Sequence, residues 1–265
     1  MAGCNLEGHL LVITRVTAKI FLGHTAEYLE KVRTLCLSSE EIVELQLPLN
    51  APIVEGFRLM TGGTLTAARL GLADGLACHV GGGFHHAFAN HGEGFCLFND
   101  VVVAIEVLRQ EGAVSRVAVV DLDVHHGNGT AMIYGRDPAV FTFSMHEQHN
   151  YPAFKPRGSL DIGLAAGTDD ATYLARLEAV LPQVVAHEPD LMVYLAGADP
   201  FEDDQLGNLK LSKEGLRERD RLVLRTMRGA GVPVAIVLAG GYARQLVDTV
   251  DIHVATIEEA LTTCR

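Results

Sequence analysis

Short apolar runs alternate along this chain with longer segments in which apolar residues recur at helical spacing. Apolar runs of roughly four to eight residues are typical of buried parallel strands, and helical spacing is typical of helices that pack on a sheet. The pattern predicts strands around 76–80, 117–121, 140–144, 191–196 and 234–238. It predicts helices near 26–36, 61–74, 99–110, 169–187 and 212–229. This alternation favours an α/β fold in which helices cover both faces of a mainly parallel sheet.

Several of the predicted helices have recognisable ends. Asn99 and Ser212 stand where N-caps are expected, because their side chains can accept hydrogen bonds from free backbone N–H groups. Gly112 stands at an expected C-cap, where a left-handed backbone commonly ends a helix. Pro182 lies inside the helix predicted at 169–187 and is expected to interrupt or kink it.

No repeat, low-complexity segment or linker rich in Pro, Gly and Ser divides the 265 residues. That length is sufficient for one large α/β domain with a sizeable core. Residues 1–265 are therefore expected to form a single domain.

The chain is acidic, with 21 Lys and Arg against 33 Asp and Glu and a net charge of −12. This charge argues against a general nucleic-acid binder and is compatible with a cationic substrate. No apolar run is long enough to cross a membrane, and the N-terminus lacks the charged-then-apolar layout of a signal peptide. We therefore expect neither a nucleic-acid nor a membrane partner.

The five cysteines are scattered without CxxC spacing: Cys4, Cys36, Cys78, Cys96 and Cys264. Their odd number and their spacing predict neither a disulfide framework nor a cysteine zinc site. No apolar run precedes Cys4, which argues against a lipoprotein. The expected location is a reduced cytoplasmic compartment, with the nucleus left open.

Every predicted strand is followed directly by residues that suit a binding site. These segments are Gly81-Gly82-Gly83-Phe84-His85-His86, Asp121 to Asn128, Met145-His146, Gly197-Ala198-Asp199 and Ala239-Gly240-Gly241-Tyr242. In an open α/β sheet, ligands bind beyond the carboxyl ends of the strands. The pattern therefore predicts one composite site built from the strand-end loops.

The segment from Asp121 to Asn128 crowds carboxylates and imidazoles at the end of a strand. Asp123 and His125 are two positions apart, so they point to the same side of an extended chain and suit a zinc-type metal. A polar turn with a helix cap is the simpler interpretation, but so many ligand types together favour the metal. Asp199 alone suggests an N-cap or an Asp-Pro turn. Beside Asp123 and His125, a role as third metal ligand is favoured, which would leave one coordination position for water.

His85 and His86 follow three glycines that permit close approach of the backbone to a ligand. Adjacent imidazoles can supply a general base and an acid or electrostatic partner beside an activated water. Each needs a group that holds its far nitrogen, and Asp121 and Asn128 are candidates. The alternative is an exposed His pair on a surface loop. The preceding glycines and the polar residues at the other strand ends favour a functional role instead.

Three further features have a functional and a simpler interpretation. Tyr242 can donate a hydrogen bond to a developing oxyanion or be an ordinary core tyrosine. Phe95 can form a channel wall beside flexible glycines or be a buried loop residue. His146, His149 and Tyr151 form a polar cluster that suits either the rim of the site or a surface loop.

Together, these motifs resemble the zinc-dependent histone deacetylase family, which has an arginase-like three-layer α/β/α fold. The matching segments are GGGFHHAF (81–88), GEGFCLFND (92–100), VVDLDVHHGNGT (119–130), YLAGADPFEDDQLG (194–207) and LAGGYA (238–243). The GADPFEDDQLG form is most similar to class IV and its bacterial homologues. The resemblance covers about residues 24–260, whereas residues 1–23 match poorly, so the N-terminal part of the family fold is expected to be atypical or missing.

The resemblance implies a metal site and a channel. One catalytic Zn²⁺ would be held by Asp123, His125 and Asp199, although iron(II) and cobalt(II) accept the same ligands. Tyr242 would polarise the acyl carbonyl together with the metal. Gly94 and Phe95 would border the acyl-lysine channel. A structural K⁺ or Na⁺ is also implied near Asp121, Asp123, His125 and Ser144.

The resemblance also implies roles for the two imidazoles. His86 would be the principal general base and acid, and His85 would be the second catalytic imidazole, oriented by Asp121. The partner of His86 is Asn128, where some classes have Asp. Because an amide cannot raise the pKa of a histidine as a carboxylate does, His86 is expected to be neutral more readily.

The expected activity is hydrolysis of acetyl or longer acyl groups from lysine side chains of a protein or peptide. A deacetylase of acetylpolyamines or another small acylated amine remains an alternative, because the rim loops decide between them. Intact His85, His86 and Tyr242 argue against a non-catalytic acyl-lysine binding module. Gly127 and Phe201 stand where a two-metal ureohydrolase of the same fold needs further ligands, which argues against that reaction.

Overall fold

A computed structural model describes residues 22–264, and the expectations for residues 1–21, including Cys4, lie outside the described part. Within that part, six strands form one sheet in the order β1-β6-β5-β2-β3-β4, and every neighbouring pair is parallel. The strands are β1 (Leu76–His79), β2 (Val117–Asp121), β3 (Val140–Glu147), β4 (Leu160–Leu164), β5 (Leu191–Leu195) and β6 (Val234–Val237). The predicted parallel sheet is therefore confirmed.

The described helices are α1 (Ala26–Thr34), α2 (Ser39–Leu45), α3 (Ala51–Asp74), α4 (Asp100–Gln110), α5 (Asn128–Tyr134), α6 (Asp170–Ala186), α7 (Lys213–Gly229) and α8 (Leu246–Cys264). The five predicted helices are present, and α3 begins ten residues earlier than expected. Sequence reasoning missed the short α2 and α5, the half-exposed strand β4, and α8. The apolar residues of α8 lie on both its buried and its exposed faces, which obscures its periodicity.

The helix ends follow from local hydrogen bonds. Asn99 Oδ1 accepts from the Val102 N–H at 3.1 Å, and Ser212 Oγ accepts from the Gly215 N–H at 3.0 Å, so both predicted N-caps are confirmed. Gly112 has a φ of +70° and lies one residue beyond the C-cap of α4, where it closes the helix in a left-handed turn. The helix α6 continues through Pro182, so the expected interruption is wrong.

The sheet is covered on both faces, which gives three layers. Alternate residues of the buried strand β2 point to opposite sides, with Val117 and Val119 facing α1 to α5 and Ala118 and Val120 facing α6 to α8. These faces belong to two separate apolar clusters, each completed by the helices on its side. The three-layer α/β/α expectation is therefore confirmed.

Parallel pairing brings the carboxyl ends of the strands to one edge. Asp121, the last residue of β2, pairs in register with Ser144 of β3 and Leu195 of β5. The loops after these strands therefore meet above the middle of the sheet. Cys36, Cys78 and Cys96 are free thiols. Between residues 22 and 264, no helix combines the length and apolar character needed to cross a membrane.

Candidate active site

A cavity of about 260 Å³ opens where the strand-end loops meet. Its lining includes most of the residues singled out from sequence: His85, His86, Gly94, Phe95, Asp123, His125, Asp199 and Tyr242. Asp121 and Asn128 lie behind the two histidines and contact them from outside the cavity wall. The structure therefore brings all ten predicted site residues into one region.

The three predicted metal ligands lie together and are buried. One ligand atom from each of Asp123, His125 and Asp199 lies within 4.8 Å of the other two. Nδ1 of His125 lies 3.0 Å from Oδ1 of Asp123 and 3.3 Å from Oδ2 of Asp199. Burial and the charge of Asp123 raise the pKa of Asp199 to about 7. Two carboxylates and an imidazole crowded in this way are relieved by a bound cation, so the residues fit a metal.

Backbone N–H groups hold the carboxylates in place. The Val124 N–H donates to Oδ1 of Asp199 at 2.8 Å, and the Gly240 N–H donates to Oδ2 of Asp123 at 2.9 Å. Oδ2 of Asp199 is buried and makes no hydrogen bond. One oxygen of Asp199 is therefore fixed by the chain while the other is left for a ligand, an arrangement that suits a coordinated ion.

Arg219 supports both ligand-bearing turns from below, and sequence reasoning gave it no role. Its side chain is fully buried and donates from Nη1 to the Gly197 carbonyl at 2.6 Å and the Leu122 carbonyl at 3.4 Å. It also pairs with Asp220 at 2.8 Å. Arg219 shares the buried face of α7 with Leu216 and Val223. A charged residue at helical spacing among apolar residues is the sequence signal that could have indicated its burial.

His85 pairs with its predicted partner. Nδ1 of His85 lies 2.7 Å from Oδ2 of Asp121, and both side chains are buried. Burial lowers the pKa of His85, but the charges of Asp121 and Asp123 outweigh burial and raise the pKa to about 9. The two carboxylates therefore favour the cationic form of this imidazole.

His86 lies between His85 and Asn128. Its Nδ1 is 2.8 Å from Oδ1 of Asn128, and its Nε2 is 3.1 Å from Nε2 of His85. Burial and the charge of His85 hold the pKa of His86 well below its usual range. The two adjacent imidazoles therefore have opposite electrostatic characters, a cation beside a neutral base.

Gly82, one of the three glycines before the histidines, is required by close packing against Asp100. Asp100 accepts hydrogen bonds from the Gly83 N–H at 2.9 Å and the Phe84 N–H at 2.7 Å, and this fixes the loop that carries His85. A Cβ on Gly82, whose φ is +75°, would lie 2.6 Å from an oxygen of Asp100. Sequence reasoning included Asp100 only within a matching motif and assigned it no role.

Aromatic side chains form the walls of the cavity. Phe95 and Tyr242 face each other with ring centroids 6.3 Å apart. The ring of Tyr151 stands nearly perpendicular to that of His86, with centroids 5.0 Å apart. Gly94 permits this contact, because a Cβ there would lie 2.9 Å from the Tyr151 ring. Burial raises the pKa of Tyr242, so its hydroxyl stays protonated and able to donate.

Two other expectations have different outcomes in the structure. Of the predicted cluster His146, His149 and Tyr151, only Tyr151 lines the cavity, whereas His149 is exposed and His146 packs edge-on against His126. Ser144 is the register partner of Asp121, so the two residues are adjacent, as they would be around a shared structural cation. The K⁺ or Na⁺ itself stays a prediction.

Comparison with known proteins gives consistent matches. The sequence profile of the histone deacetylase domain matches residues 12–257, which begins earlier than the motifs indicated. An uncharacterized protein of Picosynechococcus is 44% identical over 236 residues, which cover 88% of this chain and 78% of that protein. Histone deacetylase 2 of Arabidopsis thaliana is 36% identical, and the match covers 74% of this chain and 52% of the relative. A histone deacetylase-like amidohydrolase of Pseudomonas aeruginosa is 32% identical, and the match covers 84% of this chain and 63% of that protein.

Two solved structures have the same architecture. The HD domain of HDA15 superposes with a TM-score of 0.78 over 95% of this chain and 77% of that chain, at 24% identity, which supports the fold alone. An HDAC homolog solved in complex with SAHA superposes with a TM-score of 0.77 over 94% of this chain and 71% of that chain, at 26% identity.

Proposed function

This chain belongs to the histone deacetylase family, and from that premise we propose that it removes acetyl or longer acyl groups from lysine side chains. The family acts on amide bonds, and the identity of the acylated amine is the proposed part. The observation that carries the proposal is that three candidate metal ligands, two partnered imidazoles and three aromatic walls share one cavity. The predicted single catalytic domain and the cytoplasmic location stay predictions.

Asp123, His125 and Asp199 would hold one zinc ion, which is typical of the family. When bound, zinc supplies a Lewis acid for the amide carbonyl and lowers the pKa of water. Gly127 and Phe201 offer no side-chain ligand for a second ion beside this set. The chain's own groups then position the substrate and move the protons.

His86 is the proton carrier in this proposal. Its neutral Nε2 takes a proton from the attacking water, and the same proton passes to the nitrogen of the leaving lysine amine as the C–N bond breaks. His85, kept cationic by Asp121, offsets the negative charge that develops on the carbonyl oxygen. No covalent bond between the enzyme and the acyl group is needed.

Tyr242 and the channel walls orient the amide. The protonated Tyr242 hydroxyl donates to the carbonyl oxygen as negative charge develops there. Phe95 and Tyr151 present apolar ring surfaces that suit the four methylenes of a lysine side chain. A narrow apolar channel that ends in a polar centre supports a linear acylated amine as the substrate.

An activity screen tests the proposal. Purified protein with defined metal is assayed against an acetyl-lysine peptide, longer-chain acyl-lysine peptides and acetylpolyamines, with the His86→Ala variant as the background control. Hydrolysis of acyl-lysine peptides that exceeds this background is expected. Hydrolysis confined to acetylpolyamines would replace the proposal by the small-amine alternative. No hydrolysis of any substrate by metal-loaded protein would favour a binding module.

A further inference from the structure

Glu93 lies beside the channel and is hydrogen-bonded to two residues that contact His86, namely Asn128 and Tyr151. Its side chain is 13% exposed, and its Oε1 accepts hydrogen bonds from Asn128 Nδ2 at 2.8 Å and from the Tyr151 hydroxyl at 2.8 Å. The other end of the Asn128 amide, Oδ1, lies 2.8 Å from Nδ1 of His86. A continuous hydrogen-bonded chain therefore runs from Glu93 through Asn128 to His86.

The charge state of Glu93 gives this chain a direction. Burial raises the pKa of Glu93, but the nearby His91 imidazole and hydrogen bonds from Tyr151 and Asn128 outweigh burial and lower the pKa, so the carboxylate is ionised. An ionised carboxylate can only accept hydrogen bonds. The end of Asn128 that faces Glu93 must therefore be the NH₂ group, and the end that faces His86 must be the carbonyl oxygen.

The orientation of Asn128 in turn fixes the tautomer of His86. Because Oδ1 of Asn128 can only accept, Nδ1 of His86 must carry the hydrogen. The lone pair of the neutral ring then lies on Nε2, the nitrogen that faces His85. A flipped Asn128 would present its NH₂ group to Nδ1 and move the hydrogen to Nε2, which would remove the base from the reacting side.

We propose that Glu93 is a positioning residue for His86, and that Glu93 and Asn128 form a matched pair. This inference rests on the proposed function. A carboxylate at position 128 would lie 2.8 Å from Oε1 of Glu93, where two negative oxygens repel each other. In this chain the negative charge therefore lies on Glu93, one hydrogen bond further from His86 than a carboxylate at position 128 would be. The amide of Asn128 relays the orienting effect of that charge to the imidazole.

The same oxygen of Glu93 also restrains the channel wall. Tyr151 donates to Oε1, and its ring packs edge-on against His86. The second oxygen, Oε2, faces outward to His91 Nε2 at 3.7 Å, which in turn lies 3.8 Å from Glu44. Glu93 therefore couples the wall of the channel to the orientation of the base.

The first test reads the His86 tautomer directly by ¹⁵N NMR of histidine-labelled, metal-loaded protein. The wild type is expected to have the hydrogen on Nδ1 of His86. In Glu93→Leu, Asn128 loses its anchor, and a population with the hydrogen on Nε2 is expected. Glu93→Gln keeps the shape and is expected to give a smaller shift in the same direction. If His86 keeps a pure Nδ1–H form in Glu93→Leu, the contact with His85 alone sets the tautomer and the proposal is overturned.

The second test is a charge-swap cycle with an acetyl-lysine peptide. Asn128→Asp alone places two carboxylates together and is expected to lower kcat about 10–100-fold. Glu93→Gln with Asn128→Asp restores one carboxylate and one amide, and the amide at position 93 becomes the donor. The kcat of the double variant is expected to be about tenfold or more higher than the value predicted by multiplying the two single losses. KM is expected to change little. Strictly additive losses would overturn the matched pair.

Glu44→Gln is the matched control, because it removes one negative charge from a carboxylate that faces the same His91. It is expected to leave both kcat and the His86 tautomer unchanged. The two proposals can also be told apart. If the wild type hydrolyses no acylated amine, the proposed function fails, while the NMR measurement still decides whether Glu93 orients His86.

Discussion

Nδ1 of His125 lies 3.3 Å from Oδ2 of Asp199, an oxygen that is buried and makes no hydrogen bond. A buried carboxylate oxygen without a hydrogen-bond partner is costly unless an ion or a ligand compensates for it. Together, these contacts make three polar residues on two loops, Asp123 and His125 after β2 and Asp199 after β5, a candidate metal centre.

Removal of one ligand should therefore abolish stoichiometric zinc binding. Asp199→Ala or His125→Ala leaves two protein ligands, too few for a stable catalytic site. Metal content after dialysis against buffered zinc is the measurement. Glu44→Gln is the control, because Glu44, His91 and Glu93 form the second group of potential ligands in the described residues. If the control lost zinc and the two variants kept it, the metal would have to be assigned to the group of Glu44, His91 and Glu93.

Tyr242→Phe should slow turnover far more than it weakens substrate binding. The phenol is proposed to donate to the oxyanion only as charge develops, and removal of one such donor typically costs roughly 10²–10³ in kcat. Steady-state kinetics with an acyl-lysine peptide measure both constants. A kcat near that of the wild type would show that Tyr242 is only a wall of the cavity.

The position of the site could be predicted from sequence, because it depends on a general property of parallel sheets. Once five strands were assigned, their carboxyl ends had to meet at one edge, and the residues after them had to share a site. Asp123 and His125 could also be paired from their spacing, since alternate residues of an extended segment face one side. The resemblance then supplied their individual roles.

The supporting contacts could not be predicted in the same way. Glu93 and Asn128 are 35 positions apart on different loops, and no local pattern requires their contact. The buried role of Arg219 could not be predicted from its charge, because a charged residue on an amphipathic helix is usually solvated. The strand β4 lacks the signal of a buried strand, because its first four residues alternate between half-exposed and exposed positions and only Leu164 is buried. Local signals identify the residues that are chemically unusual, and packing decides what holds them.

Arg219→Met should destabilise the fold strongly, because it leaves the buried Asp220 carboxylate without its cation. Loss of one partner from a buried ion pair typically costs about 3–5 kcal/mol. The change in the free energy of unfolding is measured by urea denaturation. Arg116→Met is the control, since Arg116 forms a surface pair with Glu188 and such pairs contribute about 1 kcal/mol or less. Equal effects of the two variants would contradict a buried structural charge at Arg219.

His24 should make the fold sensitive to mild acid. Its Nε2 accepts a hydrogen bond from the Asn99 N–H at 3.0 Å, and burial lowers its pKa from 6.5 to about 4. In the pH range between these values the unfolded chain binds the proton and the folded chain does not, so stability is complete above 6.5 and falls as the pH is lowered towards 4. The full shift corresponds to roughly 3 kcal/mol.

The His24→Gln variant isolates this contribution, because glutamine keeps an acceptor for Asn99 but does not titrate. The free energy of unfolding is compared for both proteins at about pH 7.5 and about pH 5. His146 and His253 also have pKa values lowered by burial, so they should contribute to the acid sensitivity of both proteins alike. The wild type should therefore lose more stability than the variant over this range. An identical loss in the two proteins would mean that His24 is protonated at no cost in the folded state.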